Sequence, residues 1–419
     1  MKILLLNQVF YPDVVATAQY LSDLAAELSA RGHEVTVVSS RRAYEHPETS
    51  YSARETWRGV KILRIYSTRF GKRAKWRRAV DFASFLFFCC ARLLFLPRHD
   101  VVLALTTPPL ISFIGAWRAK LWRARFCYWV MDFNPDEAIA AGWLQADSFA
   151  ARFLERLSRF SLRRADGIIA LDRFMRDRIA AKGIAVEKIA VIPPWSQDGE
   201  VRYDAAGREA FRQLHHLEGK FVVMYSGNHS PVHPLDTLMQ AADQLRGELD
   251  VVFCFVGGGS EFQRIKKLAG FPGAATSHQQ PAINPLPNVL CLPYQPLDQL
   301  SASLSAADAH VVVVGDKMLG LVHPCKIYNM LTVAAPVIYI GPETSHVTEI
   351  LEGLQPQHPW VGVRHGAGDE LARQIQQLRR TTAGQGRRPL AAAIARYSEA
   401  TLLPQLVAVL EKNVAKVTI

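Results

Sequence analysis

The apolar run Phe221 to Tyr225 breaks into Ser226-Gly227-Asn228-His229-Ser230-Pro231-Val232-His233-Pro234 and then into a helix-patterned stretch, Leu235 to Leu245. A buried strand, a small-residue turn and a helix N-terminus in that order make a phosphate site. Glycine lets the backbone approach an anion, and unpaired helix N–H groups face it. A second apolar run, Val251 to Val256, ends in Gly257-Gly258-Gly259, which permits close backbone approach to a ligand or else forms a structural turn. In the first half, Asp132 follows the apolar run Phe126 to Met131. A carboxylate there could orient a hydroxyl or take its proton, or it could cap a helix.

Such residues need strands that end where the loops begin. At the start of the chain Ile3 to Leu6 reads as a buried strand, Asn7 to Thr17 as a loop and Ala18 to Ala30 as a helix. In that helix Leu21, Leu24, Ala25 and Leu28 share one face, and Gly32 sits where a helix-ending glycine belongs. Glu34 to Ser39 gives the next strand. Two strand-loop-helix starts about 220 residues apart predict two doubly wound domains.

Further strands are expected at Val60 to Ile65, Val101 to Leu105, Phe126 to Met131, Gly167 to Leu171 and Ile189 to Ile192, with helices at Val80 to Leu94, Leu110 to Trp122, Phe149 to Arg163 and Asp172 to Lys182. Pro193 to Gly199 stops this alternation and reads as a hinge. Beyond it, strands are expected at Phe221 to Tyr225, Val251 to Val256, Val289 to Leu292, Ala309 to Val314, Val337 to Ile340 and Pro359 to Val363. Helices are expected at Ser260 to Leu268, Leu297 to Ser305, Lys326 to Thr332 and Ser345 to Glu352. Gly270 to Pro287 reads as a surface excursion, and Leu390 to Lys412 as a helix that crosses back. The expected organisation is α/β: a Rossmann-like domain over residues 1–200, a second facing it over 201–395, and a helix over 396–419 that returns to the first.

The 419 residues, 49% hydrophobic and 21% charged, can fill two cores. Of the net charge of +11, nearly all belongs to residues 1–200, which hold 30 Lys and Arg against 20 Asp and Glu. Arg69, Lys72, Arg73, Lys75, Arg77 and Arg78 cluster there around Trp76, ahead of the apolar stretch Phe82 to Leu96. That stretch is too short for a bilayer span, which needs about 20 residues. Either it lies on an anionic membrane face beside the basic cluster, or it is a core helix behind a solvated basic loop. The basic loop lacks the aromatic platforms or motif of a nucleic-acid binder, and none is expected as a partner. The opening apolar run is too short for a secretory signal. The six cysteines show neither metal spacing nor a secreted framework, so a cytoplasmic chain with reduced thiols is expected.

Several segments together resemble the family 4 glycosyltransferases of the two-domain GT-B type. They are Phe10 to Asp13, Arg31 to Val35, Thr107-Pro108-Pro109, Asp132-Phe133-Asn134-Pro135-Asp136, Ile192 to Trp195, Tyr225 to Asn228, Phe255 to Gly259, Ala306-Ala307-Asp308 and His323 to Tyr328. Order and spacing are similar over nearly the whole length, most of all to the bacterial branch that builds cell-surface polysaccharides and includes the WbuB-like enzymes. The resemblance implies retaining transfer of a sugar from a nucleotide-sugar, held mainly by the second domain, to an acceptor on the first.

By that resemblance Gly227 and Asn228 match the family's glycine loop, and His233 stands where a basic residue often precedes the helix. His229 and His233 would donate to diphosphate oxygens, more strongly if protonated, or else be ordinary loop histidines. Gly257, Gly258 and Gly259 would surround the donor, and Tyr294 and Gln295 would cradle its base. Lys326 would meet the diphosphate. Asn329 departs from the family, many of whose members carry a ribose-binding glutamate there. Ser345, His346 and Glu349 would complete the donor pocket around a helix N-terminus. On the acceptor side the resemblance points to Thr17, Asn134 and Asp136, with Asp132 as the carboxylate nearest the chemistry. No enzyme nucleophile, metal or cofactor is expected.

The leading expectation is therefore a glycosyltransferase acting on a lipid-linked or growing glycan acceptor, cytoplasmic and peripheral on the inner face of the plasma membrane. The alternatives are a non-transferring GT-B enzyme such as an epimerase, and a silent sugar-nucleotide-binding protein.

Overall fold

The computed structural model describes residues 1–44, 48–71, 75–197, 199–270, 286–384, 386–387 and 391–412. Lys72 and Arg73, the side chain of Lys75, Asp198, most of the Gly270 to Pro287 excursion and Leu390 lie outside the described residues. The chain divides into two units. One comprises Met1–Pro194 with Gly320–His323 and Ala400–Ile419; the other comprises Trp195–Leu319 with Pro324–Glu399.

In the first unit the strands are β1 (Lys2–Leu6), β2 (Glu34–Ser40), β3 (Arg54–Trp57), β4 (Val60–Ile65), β5 (Val101–Ala104), β6 (Arg125–Trp129), β7 (Gly167–Ala170) and β8 (Ile189–Val191). They form one sheet in the order β3-β4-β2-β1-β5-β6-β7-β8. All pairings are parallel except β3 with β4, an antiparallel edge that the sequence pattern does not announce. β5 and β7 are buried along their whole length, as strands covered on both faces must be. The first helix, Ala16–Ala30, starts two residues earlier than expected and buries Leu21, Leu24, Ala25 and Leu28 completely. Gly32 ends that turn at φ +83°, a conformation that glycine adopts without strain.

The helix Lys75–Leu94 is longer than its apolar periodicity suggests. It buries Phe85, Cys89 and Leu93 on one side. On the other it exposes Trp76 (60%), Val80 (39%), Phe87 (68%) and Leu94 (57%), which at a 3.6-residue period share one stripe. The helix is therefore apolar on both its packed and its open face. No helix among the described residues is long and apolar enough to cross a membrane.

The second unit holds β9 (Phe221–Asn228), β10 (Val251–Gly258), β11 (Val289–Leu292), β12 (Ala309–Val313), β13 (Val337–Ile340) and β14 (Trp360–Val363), in the order β11-β10-β9-β12-β13-β14 and all parallel. Strand order reverses at β9 here and at β1 in the first unit. In open α/β sheets the loops leaving such strands are where ligands bind. Two helices escape the sequence reading, Ala205–Leu214 and Gly368–Thr382. The expected C-terminal helix is broken into Ala391–Ile394 and Glu399–Glu411. The second of these packs in the first unit, where Arg125 donates to the Leu410 carbonyl at 2.8 Å.

Candidate active site

β9 and β10 run in register to their ends, so Gly227 lies beside Gly257 and Asn228 beside Gly258. The glycines let these two turns pack on each other. A Cβ on Gly257 would come 2.1 Å from the Gly227 carbonyl oxygen, and one on Gly259 would come 2.3 Å from that of His229. Gly258 is covered by the Tyr294 ring, whose Cε2 would be 2.9 Å from an added Cβ. At Gly257, Gly258 and Gly259 protein atoms thus occupy the space a side chain would need, so glycine is required there by the packing of the two turns. Gly227 differs. Its φ is +122°, and an added Cβ would lie 3.3 Å from the Lys326 ammonium.

Lys326 opens the helix Lys326–Thr332 and its Nζ is buried with no hydrogen-bond partner among the described residues. It stands 3.5 Å from the centroid of the Tyr225 ring, whose hydroxyl is fixed by donating to the Asn228 carbonyl at 3.1 Å. A ring face offsets only part of what an ammonium loses with its water, and burial pulls the Lys326 pKa from 10.5 to about 7. A buried cation without a counter-ion has the most to gain from an anion.

The histidines behave differently from the sequence expectation. His229 is fully buried against Tyr225, Phe255 and Phe262. Its Nδ1 lies 3.3 Å from the Gly258 carbonyl oxygen, and because a carbonyl only accepts, that nitrogen carries the proton. His233 bonds the Val313 carbonyl, and its Nδ1 has no partner among the described residues. Burial, helped by the Lys326 charge, drives their pKa values down to about 4 and about 3. Both are neutral at physiological pH and each has its one proton in use. Without an anion beside them His229 and His233 therefore carry no charge, and each retains an accepting nitrogen.

Other expected donor residues are partly committed to the fold. The Asn329 amide oxygen accepts from the Gln197 backbone N–H at 3.1 Å, fixing the segment that opens the second unit. The Ser345 hydroxyl accepts from the Thr348 N–H at 3.1 Å in a capping box with Thr348, so it fixes the start of that helix. His346 is buried and Glu349 is exposed in the first turn of that helix. Tyr294 is half-exposed, and the Gln295 amide donates to the Pro293 carbonyl at 3.0 Å.

In the first unit, Asp132 lies beyond the carboxyl end of β6 and Glu137 follows in the short helix Asp136–Ala140. Burial raises both carboxyl pKa values, and the Asp132 charge raises that of Glu137 further. Asn134 donates to Glu137 at 3.2 Å. Asp136, expected to face an acceptor, instead pairs with Lys182 at 2.5 Å, and Lys182 also holds Glu155 at 2.6 Å. Thr17 is half-buried in the first turn of its helix. Sequence reasoning missed Glu137, whose only signal was its place five residues after Asp132. It also missed the pairing of His323 with Asp172 at 2.8 Å, two buried residues that lie far apart in the chain.

Residues 16–195 match the family described as "Glycosyl transferase 4-like domain". Over that stretch the chain carries a glycosyl transferase 4-like domain. Similarity to the glycosyltransferase WcaI of Escherichia coli (strain K12), whose name assigns it to colanic acid biosynthesis, is 26% identity over 373 residues, 84% of this chain and 86% of the relative. HepE of Anabaena, solved in complex with UDP-glucose, shares the fold at a TM-score of 0.69 and 16% identity, over 98% of this chain and 99% of that one. Sucrose-phosphate synthase from Thermosynechococcus elongatus shares it at 0.71 and 14% identity, over 99% of both chains. The glycosyltransferase therefore has the GT-B architecture that the motifs imply. Its second unit offers an unpaired buried cation beside a glycine turn, suited to an anionic leaving group. Its first offers a carboxyl pair of raised pKa, suited to proton transfer.

Proposed function

We propose that this glycosyltransferase moves a sugar, with retention, from a nucleotide-sugar to a lipid-linked or glycan acceptor in the synthesis of bacterial cell-surface polysaccharide. The observation that carries the proposal is the buried, unpartnered Lys326 ammonium facing Gly227. As the bond from the anomeric carbon to the diphosphate breaks, negative charge grows on the departing oxygen, and a cation already stripped of water stabilises it without reorganisation. Lys326 supplies that charge in place of a metal, and no cofactor takes part. The accepting Nδ1 of His233 receives a hydrogen bond from a sugar hydroxyl, and the Asn329 amide nitrogen contacts the ribose.

In the first unit Asp132 takes or orients the proton of the acceptor hydroxyl while Glu137, held by Asn134, keeps its own proton. No side chain is assigned as a nucleophile. The name of WcaI and the UDP-glucose bound to HepE support a polysaccharide product and a nucleotide-sugar donor. The exposed stripe Trp76, Val80, Phe87 and Leu94, with Arg77 and Arg78 at its start, supports docking on the anionic cytoplasmic face of a membrane.

The test is incubation of purified protein with UDP-, GDP- and dTDP-sugars and a bacterial membrane-lipid extract. One donor should label one lipid product, with the donor's anomeric configuration kept. Donor hydrolysis or epimerisation without a lipid product, or nucleotide binding without turnover, would overturn the reading.

A further inference from the structure

The first unit carries a second charged feature at the opposite end of its strands. A cavity of about 360 Å³ opens where the helices Ile111–Trp122 and Phe149–Arg164 end and β6, β7 and β8 begin. Lys120, Arg123, Arg163, Arg164 and Lys188 line it, with Asp166 the one carboxylate. None of these five cations has a carboxylate within ion-pair distance among the described residues. Asp166 is occupied in accepting from the Phe126 N–H at 2.8 Å, which ties the starts of β6 and β7 together.

Helix ends attract cations, but only up to a point. Two C-termini contribute about half a negative charge each; with Asp166 that makes roughly two negative charges against five positive ones. The excess sits around a concave space large enough for more than one phosphate group. Phe126 lies six residues before Asp132 along the β6 direction, about 20 Å at strand rise, so this is not the carboxyl site.

We propose that this cavity binds a ligand bearing a diphosphate or longer phosphate group, through charge-assisted bonds from Arg163, Arg164, Arg123, Lys120 and Lys188. Arginine forks suit phosphate oxygens and the shared concavity suits a polyanion. Leu121 and Trp117 are exposed on the helix that contributes Lys120, so the phosphate could come from a membrane lipid as readily as from solution.

The experiment uses the full chain and two probes, inorganic pyrophosphate by calorimetry and phosphatidylcholine vesicles with or without phosphatidic acid by pelleting. Because Lys326 also attracts diphosphate, wild type should titrate two pyrophosphates and Lys326→Met one. Arg163→Gln/Arg164→Gln, made in the Lys326→Met background, should weaken the remaining site about tenfold or more. Arg152→Gln/Arg156→Gln, the same charge loss earlier on the same helix, should change neither probe. Loss of pyrophosphate binding assigns a soluble phosphate ligand; loss of phosphatidic-acid pelleting alone assigns a lipid headgroup. If the pocket variant melts like wild type and neither probe responds, or the control variant loses as much, the proposal is wrong. Since none of these arms reads sugar transfer, its failure is distinguishable from failure of the proposed activity.

Discussion

The Lys326 ammonium stands 3.5 Å from the centre of the Tyr225 ring and has no hydrogen-bond acceptor among the described residues. It is a strained arrangement in the electrostatic sense, since desolvation weighs against the charged form. Replacing the lysine by methionine should therefore divide stability from function. Lys326→Met is expected to melt higher than wild type while losing about 10²–10³ in turnover, the scale for removing one preorganised group from a developing anion. Melting curves and donor-consumption rates decide it; a variant that transfers sugar at the wild-type rate removes Lys326 from the chemistry.

The same residue fixes a pH dependence. Its pKa is about 7 in the fold against an ordinary 10.5. Between those values the unfolded chain holds more protons, so stability should rise with pH across that window, and the full cost of the buried cation is present below it. A nucleoside diphosphate should restore the proton. Calorimetry above pH 7 in buffers of different ionisation enthalpy is expected to show proton uptake on UDP binding that Lys326→Met abolishes.

Asp132 and Glu137 should not be equivalent. Glu137 is lifted by burial and by Asp132, so it keeps its proton more readily, and Glu137→Gln resembles the native state. That variant is expected to stay within about threefold of wild-type kcat, whereas Asp132→Asn should lose roughly 10²–10⁴, the range for a general base. Full activity in Asp132→Asn across the pH profile would falsify the assignment.

Asn329 accepts a hydrogen bond from the Gln197 N–H at 3.1 Å. Asn329→Ala should cost about 1 kcal/mol in chemical denaturation. Asn329→Glu can still accept that bond, so it should fold normally and should tighten donor binding if the ribose lies against this helix. Equal losses for both substitutions would leave Asn329 a purely structural residue.

The exposed side of Lys75–Leu94 gives a test that leaves the core untouched. Trp76→Ser, Phe87→Ser and Leu94→Ser together should leave the melting temperature unchanged, because these side chains are open to solvent. They should cut pelleting with anionic vesicles about tenfold or more. Undiminished pelleting would remove this stripe as the membrane contact.

Strand-and-helix alternation was legible because period-2 and period-3.6 apolar patterns are local, and the ends of β4, β11 and β13 agree with their apolar runs. The motifs sufficed for the glycosyl transferase 4-like domain over residues 16–195 and for the two-sheet α/β architecture. What the sequence could not carry was burial and protonation, which depend on distant neighbours. His229 and His233 read as loop histidines open to phosphate, yet burial, for His229 against Phe255 and Phe262, and the nearby Lys326 charge leave both neutral with their protons spent. Asp136 read as an acceptor carboxylate until the fold brought Lys182 to it. Residue types and order determined which groups were available for chemistry. Only the tertiary structure decided which of them lost water, which found partners, and so which kept a charge free to act.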